Sequence, residues 1–202
     1  MIYVRRFPAI LRRMKYRSLA WLGLLAVVLA IPVCAGEFAL EPGFIALFNG
    51  RDLTGWHHKD GPPLNGLTDA GDGRYTVVDG ALTGNADRSK GRVLLWTAQE
   101  HTGNFVLRFE FRAAPHTDGG LFFNKTQLQC GDYNSYAYKE FKAYRPEDWN
   151  AIEVTVQGGV ARCTCNGELL EAALKIAEPG QIGFEVDKNP IAYRRIRIKH
   201  LP

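Results

Sequence analysis

The stretch FVLRFEFRA, Phe105–Ala113, alternates without a break. Phe105, Leu107, Phe109 and Phe111 fall on one side, and Arg108, Glu110 and Arg112 on the other. A period of two is that of a strand with one buried face. Working outward, residues 151–157 (AIEVTVQ) repeat the pattern with Ile152, Val154 and Val156 inward, and in residues 192–199 Ile196 and Ile198 oppose Arg195, Arg197 and Lys199. Asp79-Gly80 within residues 74–82 and Asn166-Gly167 within residues 160–170 are dipeptides that close two-residue hairpins. Residues 121–124 and 126–131 read as a strand pair, and 181–186 as a further strand. The best helical candidate, 168–177, is short. Short strands with glycine-rich turns predict an all-β chain, a sandwich of two antiparallel sheets. The long connections, 55–72 and 115–120, are where function more often sits.

Residues 1–35 hold Arg5, Arg6, Arg12, Arg13, Lys15 and Arg17 and no acidic residue. The uncharged run at residues 19–33 is 15 residues long, against the roughly 20 a membrane span needs. Small residues follow. This is the pattern of a secretory signal, so the expectation is a cleaved leader over residues 1–35 and one domain over 36–202, secreted or periplasmic. An uncleaved N-terminal anchor is the alternative. The whole chain carries 25 basic and 21 acidic residues; without the six basic residues of the leader the balance is 19 to 21. The remaining domain is near neutral, which argues against nucleic acid as a partner. Cys130, Cys163 and Cys165 remain; a bridge to Cys130 and buried free thiols are both open readings.

Several segments, taken in order, resemble the 3-keto-disaccharide hydrolase family. They are FIALFNGRDLTGW, RYTVVDGAL followed by GRVLLWT, NFVLRFEFRA, DWNAIEVTVQGGVARCTCNGEL, and the closing GQIGFEVDKNPIAYRRIRIKHL. The resemblance runs from about Phe44 to Leu201. It implies a concanavalin-like jelly roll, export, and action on glycosides whose sugar carries a ketone at C3. In DGGLFFNKTQLQCGDY the chain departs from the family pattern. Asn124 stands where the family has Arg and Gln127 where it has Glu, while Gln129 and Asp132 match. The charges are thus replaced by amides that still form hydrogen bonds. Glu185 replaces a Gln of the family, and the hypothesis is that it takes over the acidic role lost at Gln127.

A ketone at C3 acidifies the C2 proton, so a base, an oxyanion holder and an acid for the leaving group are needed. Glu110 and Glu185 are the expected bases and Arg112 the expected oxyanion holder. A divalent metal is a second way to hold the oxyanion, with no ligand set defined. Asn124, Gln127, Gln129, Asp132, His57 and Trp56 are expected to touch the sugar, Trp56 alternatively plugging the sandwich. Tyr133, Tyr136, Tyr138 and Tyr144 suit sugar stacking or packing over the sandwich. The expected partner is a small sugar or glycoside. A non-catalytic carbohydrate-binding module is the competing reading. Either requires Glu110, Arg112, Gln127, Gln129 and Glu185 to share one sheet surface.

Overall fold

The computed structural model describes residues 38–86, 91–176 and 180–202, and the expected leader lies outside them. The chain from Phe38 to Pro202 is one compact unit. Its described residues form thirteen strands: β1 (Ile45–Ala46), β2 (Trp56–His58), β3 (Tyr75–Val78), β4 (Ala81–Gly84), β5 (Val93–Thr97), β6 (Phe105–Ala113), β7 (Gly119–Phe123), β8 (Thr126–Gln129), β9 (Asn150–Gln157), β10 (Val160–Cys165), β11 (Glu168–Lys175), β12 (Ile182–Val186) and β13 (Ile191–His200). Every pairing is antiparallel. Eight strands form one sheet in the order β11-β10-β9-β6-β13-β4-β3, with β1 added to β13; five form the other, β2-β5-β12-β7-β8. The expected two-sheet sandwich is the fold. Among the described residues, no helix is long and apolar enough to cross a membrane.

The alternation of β6 explains the layering. Its four apolar residues are buried and meet the second sheet through aromatic pairs: Phe105 with Phe123 at 6.0 Å, and Phe109 with Phe184 at 5.1 Å. Phe184 also packs at a tilt against Tyr193 and Trp56, at 4.6 and 5.8 Å between ring centres. This aromatic cluster is the middle of the core.

Trp56 is fully buried and donates from Nε1 to the Leu47 carbonyl at 3.0 Å. It plugs the sandwich and touches no groove. The placement of Trp56 among sugar-binding residues is therefore corrected: on β2 its side chain is the inward one.

Both hairpin dipeptides behave as read. Asp79 and Gly80 have φ of 49° and 74°, and Asn166 and Gly167 of 49° and 85°, the two successive positive values that a type I′ turn demands. Two expectations are corrected, on residues 168–175 and on the connection at 55–72, and of the two open readings of the cysteines the buried free thiols hold. Residues 168–175 are strand β11: their helix formers are overruled by pairing with β10. The connection at 55–72 contains β2, which pairs with β5. Cys130, Cys163 and Cys165 are free, buried thiols, with burial pushing Cys163 and Cys165 up to about 12. The tyrosine segment packs over the sandwich end: Tyr133 and Tyr144 are buried against Phe111.

In β13 the register slips between Arg194 and Arg197, and Arg195 has a φ of 53°. The inserted residue is a β-bulge. It lets Tyr193 and Ile196 both face the core while Arg194 and Arg195 both face outward. Both arginines then grip Glu110, from Arg194 Nε at 2.6 Å and Arg195 Nη1 at 2.8 Å. Glu110→Gln is expected to lower unfolding stability by about 1–2 kcal/mol, because the bonded groups are partly solvated. Chemical denaturation checks this.

Candidate active site

The two sheets have separate outer faces, and the expected site residues divide between them. Glu110 and Arg112 point out from the eight-stranded sheet, opposite the buried phenylalanines of β6. Glu110 is held by the two arginines of the bulge, and the Arg112 guanidinium lies 4.8 Å from the Trp149 ring centre. Gln127, Gln129 and Glu185 point out from the five-stranded sheet. The expected single surface of five residues is thus corrected: the core lies between the first pair and the other three. Alternation within a strand does not say which sheet that strand joins.

Strand register builds the second face row by row. One row reads His57, Trp96, Gly183, Phe122 and Gln127; the next reads Leu94, Glu185, Gly120 and Gln129. Two glycines shape it. A Cβ on Gly183 would stand 2.6 Å from Cε3 of Trp96, and one on Gly120 would stand 2.6 Å from Nε2 of Gln127. Glycine therefore lets the indole lie flat on the sheet and lets the Gln127 amide reach across it. Gly183→Ala should tilt the indole away from the sheet, as a shift in tryptophan fluorescence would show. Trp96 and Phe122 pack edge to face at 6.3 Å. Together with His58, Lys59, Arg92, Leu94, Asn124 and Gln181 they line a depression of about 700 Å³, within the range of small-molecule sites.

Glu185 sits at the centre of this sheet, 3% exposed. It accepts from Gln127 Nε2 at 3.1 Å and lies 3.5 Å from the guanidinium of Arg92. Its backbone is fixed from within the core: the Tyr193 hydroxyl donates to the Glu185 carbonyl at 2.9 Å, and the Tyr75 hydroxyl to the Phe184 carbonyl at 2.5 Å. Burial pushes the Glu185 carboxyl up to about 7; Arg92 opposes this, and Asp187 and Asp118 add to it. A carboxyl so placed is half ionised near neutral pH, as a general base requires.

The other predicted residues fall around this centre. Gln129 donates to Asp118 at 2.8 Å, and Lys188 donates to the same carboxylate at 3.0 Å. His57 donates from Nδ1 to the His58 carbonyl at 2.6 Å, so its Nε2 accepts from Gln181 at 2.8 Å. This is the neutral tautomer, assigned from its partners. Asn124 occupies the β7–β8 turn with a φ of 52° and lines the depression. Asp132 is the exception. It is buried, and its carboxylate accepts from the backbone of His116 and Asn134 and from the Ser135 hydroxyl. Burial raises its carboxyl, but these three bonds hold it below the usual range. Asp132 shapes its own loop and does not reach the depression.

Trp96, Phe122 and Arg92 escaped the sequence reading. The signal was present in GRVLLWT, where Leu94 and Trp96 alternate with Val93, Leu95 and Thr97, but a run in which both faces carry apolar residues does not reveal the exposed one. Among the described residues, no group of three or more His, Cys, Asp or Glu side chains is arranged to hold a metal ion. The donors around Glu185 do not fit one either: they are an amide and a guanidinium.

A two-sheet sandwich carrying an aromatic floor and one buried carboxylate on an open sheet face is the build of a carbohydrate-acting domain. Residues 43–199 match the family described as the 3-keto-alpha-glucoside-1,2-lyase-like domain, and the chain belongs to that family. No protein of curated function matches it in sequence. Among solved structures it is similar to a candidate glycosyl hydrolase from Parabacteroides distasonis, at 17% identity and a TM-score of 0.61, over 81% of this chain and 99% of that one. It is also similar to the carbohydrate-binding module CBM66 of Bacillus subtilis, at 13% identity and a TM-score of 0.48, over 73% and 97%. At 17% identity the likeness to the Parabacteroides structure is one of fold.

Proposed function

We propose that this chain cleaves 3-keto-glycosides by elimination across C1 and C2, with Glu185 as the base. The observation that carries this reading is a buried carboxyl on the outer face of the five-stranded sheet, raised to about 7, beside an arginine and next to an aromatic floor. The apolar face of the sugar ring stacks on Trp96 and Phe122. Glu185 takes the proton from C2, and the C2–H electron pair moves to make the enolate at C3. The Arg92 guanidinium balances the charge on that oxygen. The enolate then collapses, the C1–O bond breaks with its electrons on the departing oxygen, and C1=C2 forms beside the restored ketone. The proton held by Glu185 is available to the leaving group. Addition of water at C1 completes a net hydrolysis. Gln127 positions the carboxylate without competing for its proton, since an amide does not titrate.

The test is release of reducing sugar from a 3-keto-disaccharide, set against the same disaccharide without the ketone. Release from the first alone is expected. Release from neither, or from both equally, would overturn the elimination. The basic and then apolar first 35 residues support action outside the cytoplasm.

A second reading is a sugar-binding module. It is favoured by Gln127, an amide that stands where the resemblance places a glutamate and pairs with Glu185 where a second carboxylate is expected. Tight binding of the 3-keto-disaccharide with no release is its expected result.

A further inference from the structure

A second cavity opens at one end of the sandwich, apart from the proposed catalytic carboxylate. It measures about 270 Å³ and is lined by His101, Phe105, Phe123, Val156 and Ile176 together with glycines and Asn104. Among the described residues its walls are apolar except for His101 and for Asn104, whose amide is already bonded to the Pro202 carbonyl and the Gly158 N–H. His101 is 1% exposed, and neither Nδ1 nor Nε2 has a hydrogen-bond partner among the described residues. The backbone holds the residue rigidly, because its N–H donates to the Gly180 carbonyl at 2.9 Å. Its ring stacks on His200, with centres 5.7 Å apart. Two orphaned nitrogens in a buried ring are an unusual expense for a fold, since each unpaired polar group costs about 1–3 kcal/mol.

We infer that this cavity is a binding site for a small aromatic alcohol of the phenol type, with His101 as its polar anchor. Size agrees: a cavity of roughly 150 Å³ holds benzene. Shape agrees as well, since Phe105 and Phe123, 6.0 Å apart and tilted by 39°, offer ring faces and edges to an aromatic guest. The polar chemistry favours a hydroxyl. Burial, with His200 adding to it, holds the His101 imidazole below its ordinary range and hence neutral. A neutral imidazole presents one donor and one acceptor, and a hydroxyl can serve either. A carboxylate or an ammonium would also bring a charge into an apolar cavity, which a neutral hydroxyl does not. Gly180 also lines the catalytic depression, next to Gln181, which bonds His57. A guest in the cavity therefore lies against the same short segment that borders the sugar site.

The experiment is titration of the full-length chain with phenol and with benzene, followed by NMR of the His101 and Phe123 signals and by calorimetry. Phenol should shift both residues and bind roughly tenfold more tightly than benzene, the margin of one buried hydrogen bond. In His101→Phe the preference for phenol should vanish while benzene still binds. The same variant, without guest, should melt roughly 2–4 °C higher, because it removes the orphaned nitrogens. Equal affinity for phenol and benzene in the wild type would overturn the assignment. So would unshifted His101 signals at saturating phenol, or a His101→Phe variant that melts no higher and keeps the preference. None of these outcomes depends on whether the chain cleaves sugars.

Discussion

Glu185→Gln should reduce cleavage of a 3-keto-disaccharide by about 10²–10⁴-fold, the usual contribution of a positioned general base. The amide keeps the size of the carboxyl and can still accept from Gln127, so KM for the substrate should change little. The fall belongs in kcat. Stability should move in the opposite direction. The folded carboxyl titrates near 7, above its ordinary 4.5. Between those values the folded chain holds more protons than the unfolded one, so stability falls as pH rises through that window. The amide of the variant does not titrate and escapes this loss. Relative to wild type, Glu185→Gln should gain roughly 3 kcal/mol in going from pH 4 to pH 8. Thermal melts of both proteins at the two pH values would show it. A residue with only a surface role would change neither rate nor pH slope. The wild-type rate, for its part, should climb as pH rises through about 7 and then level off.

Phe184→Ala, one position away on the same strand, should do the reverse. Phe184 is fully buried among Trp56, Phe109 and Tyr193 at the middle of the core. Removing the ring leaves a cavity between the sheets that rigid strands cannot close, at a cost of about 3–5 kcal/mol. That is a large share of the roughly 5–15 kcal/mol that holds a domain together. Urea denaturation should therefore show a much lower midpoint. At low temperature, where the variant remains folded, its catalytic pH profile should keep the wild-type shape, because Glu185 stays between Gln127 and Arg92. The pair of neighbouring variants separates the two faces of β12: one controls the chemistry and the other the core.

The strand inventory was legible because alternation is local. Phe109 and Glu110 declare their opposite sides within one strand, and Asp79-Gly80 announces its own turn. Layer membership was not legible. β12 and β13 follow each other in sequence, yet they join different sheets, so Glu185 and the arginines that hold Glu110 end up on opposite sides of the molecule. The bulge at Arg194 and Arg195 hid for a related reason: one inserted residue breaks the period without changing composition. β11 hid because ELLEAALK favours a helix in isolation and becomes a strand only by pairing with β10. Within the site, the neighbourhood of Gln127 and Glu185 was foreseen by comparing this chain with the family pattern. Trp96 was not, because its flat placement depends on Gly183, which is distant in sequence and directly opposite in the sheet. Asp132 looked like a sugar ligand in the sequence, but its oxygens are taken up by its own loop.

The central claim is that Glu185 removes the C2 proton of a 3-keto-glycoside. Cleavage run in deuterated water, with the label read in the product sugar by NMR or mass spectrometry, tests it most directly. The wild-type chain should release sugar carrying deuterium at C2, faster than exchange without enzyme, and Glu185→Gln should do neither above background. Cleavage that leaves C2 unlabelled, or a Glu185→Gln variant that labels and cleaves like wild type, would contradict it.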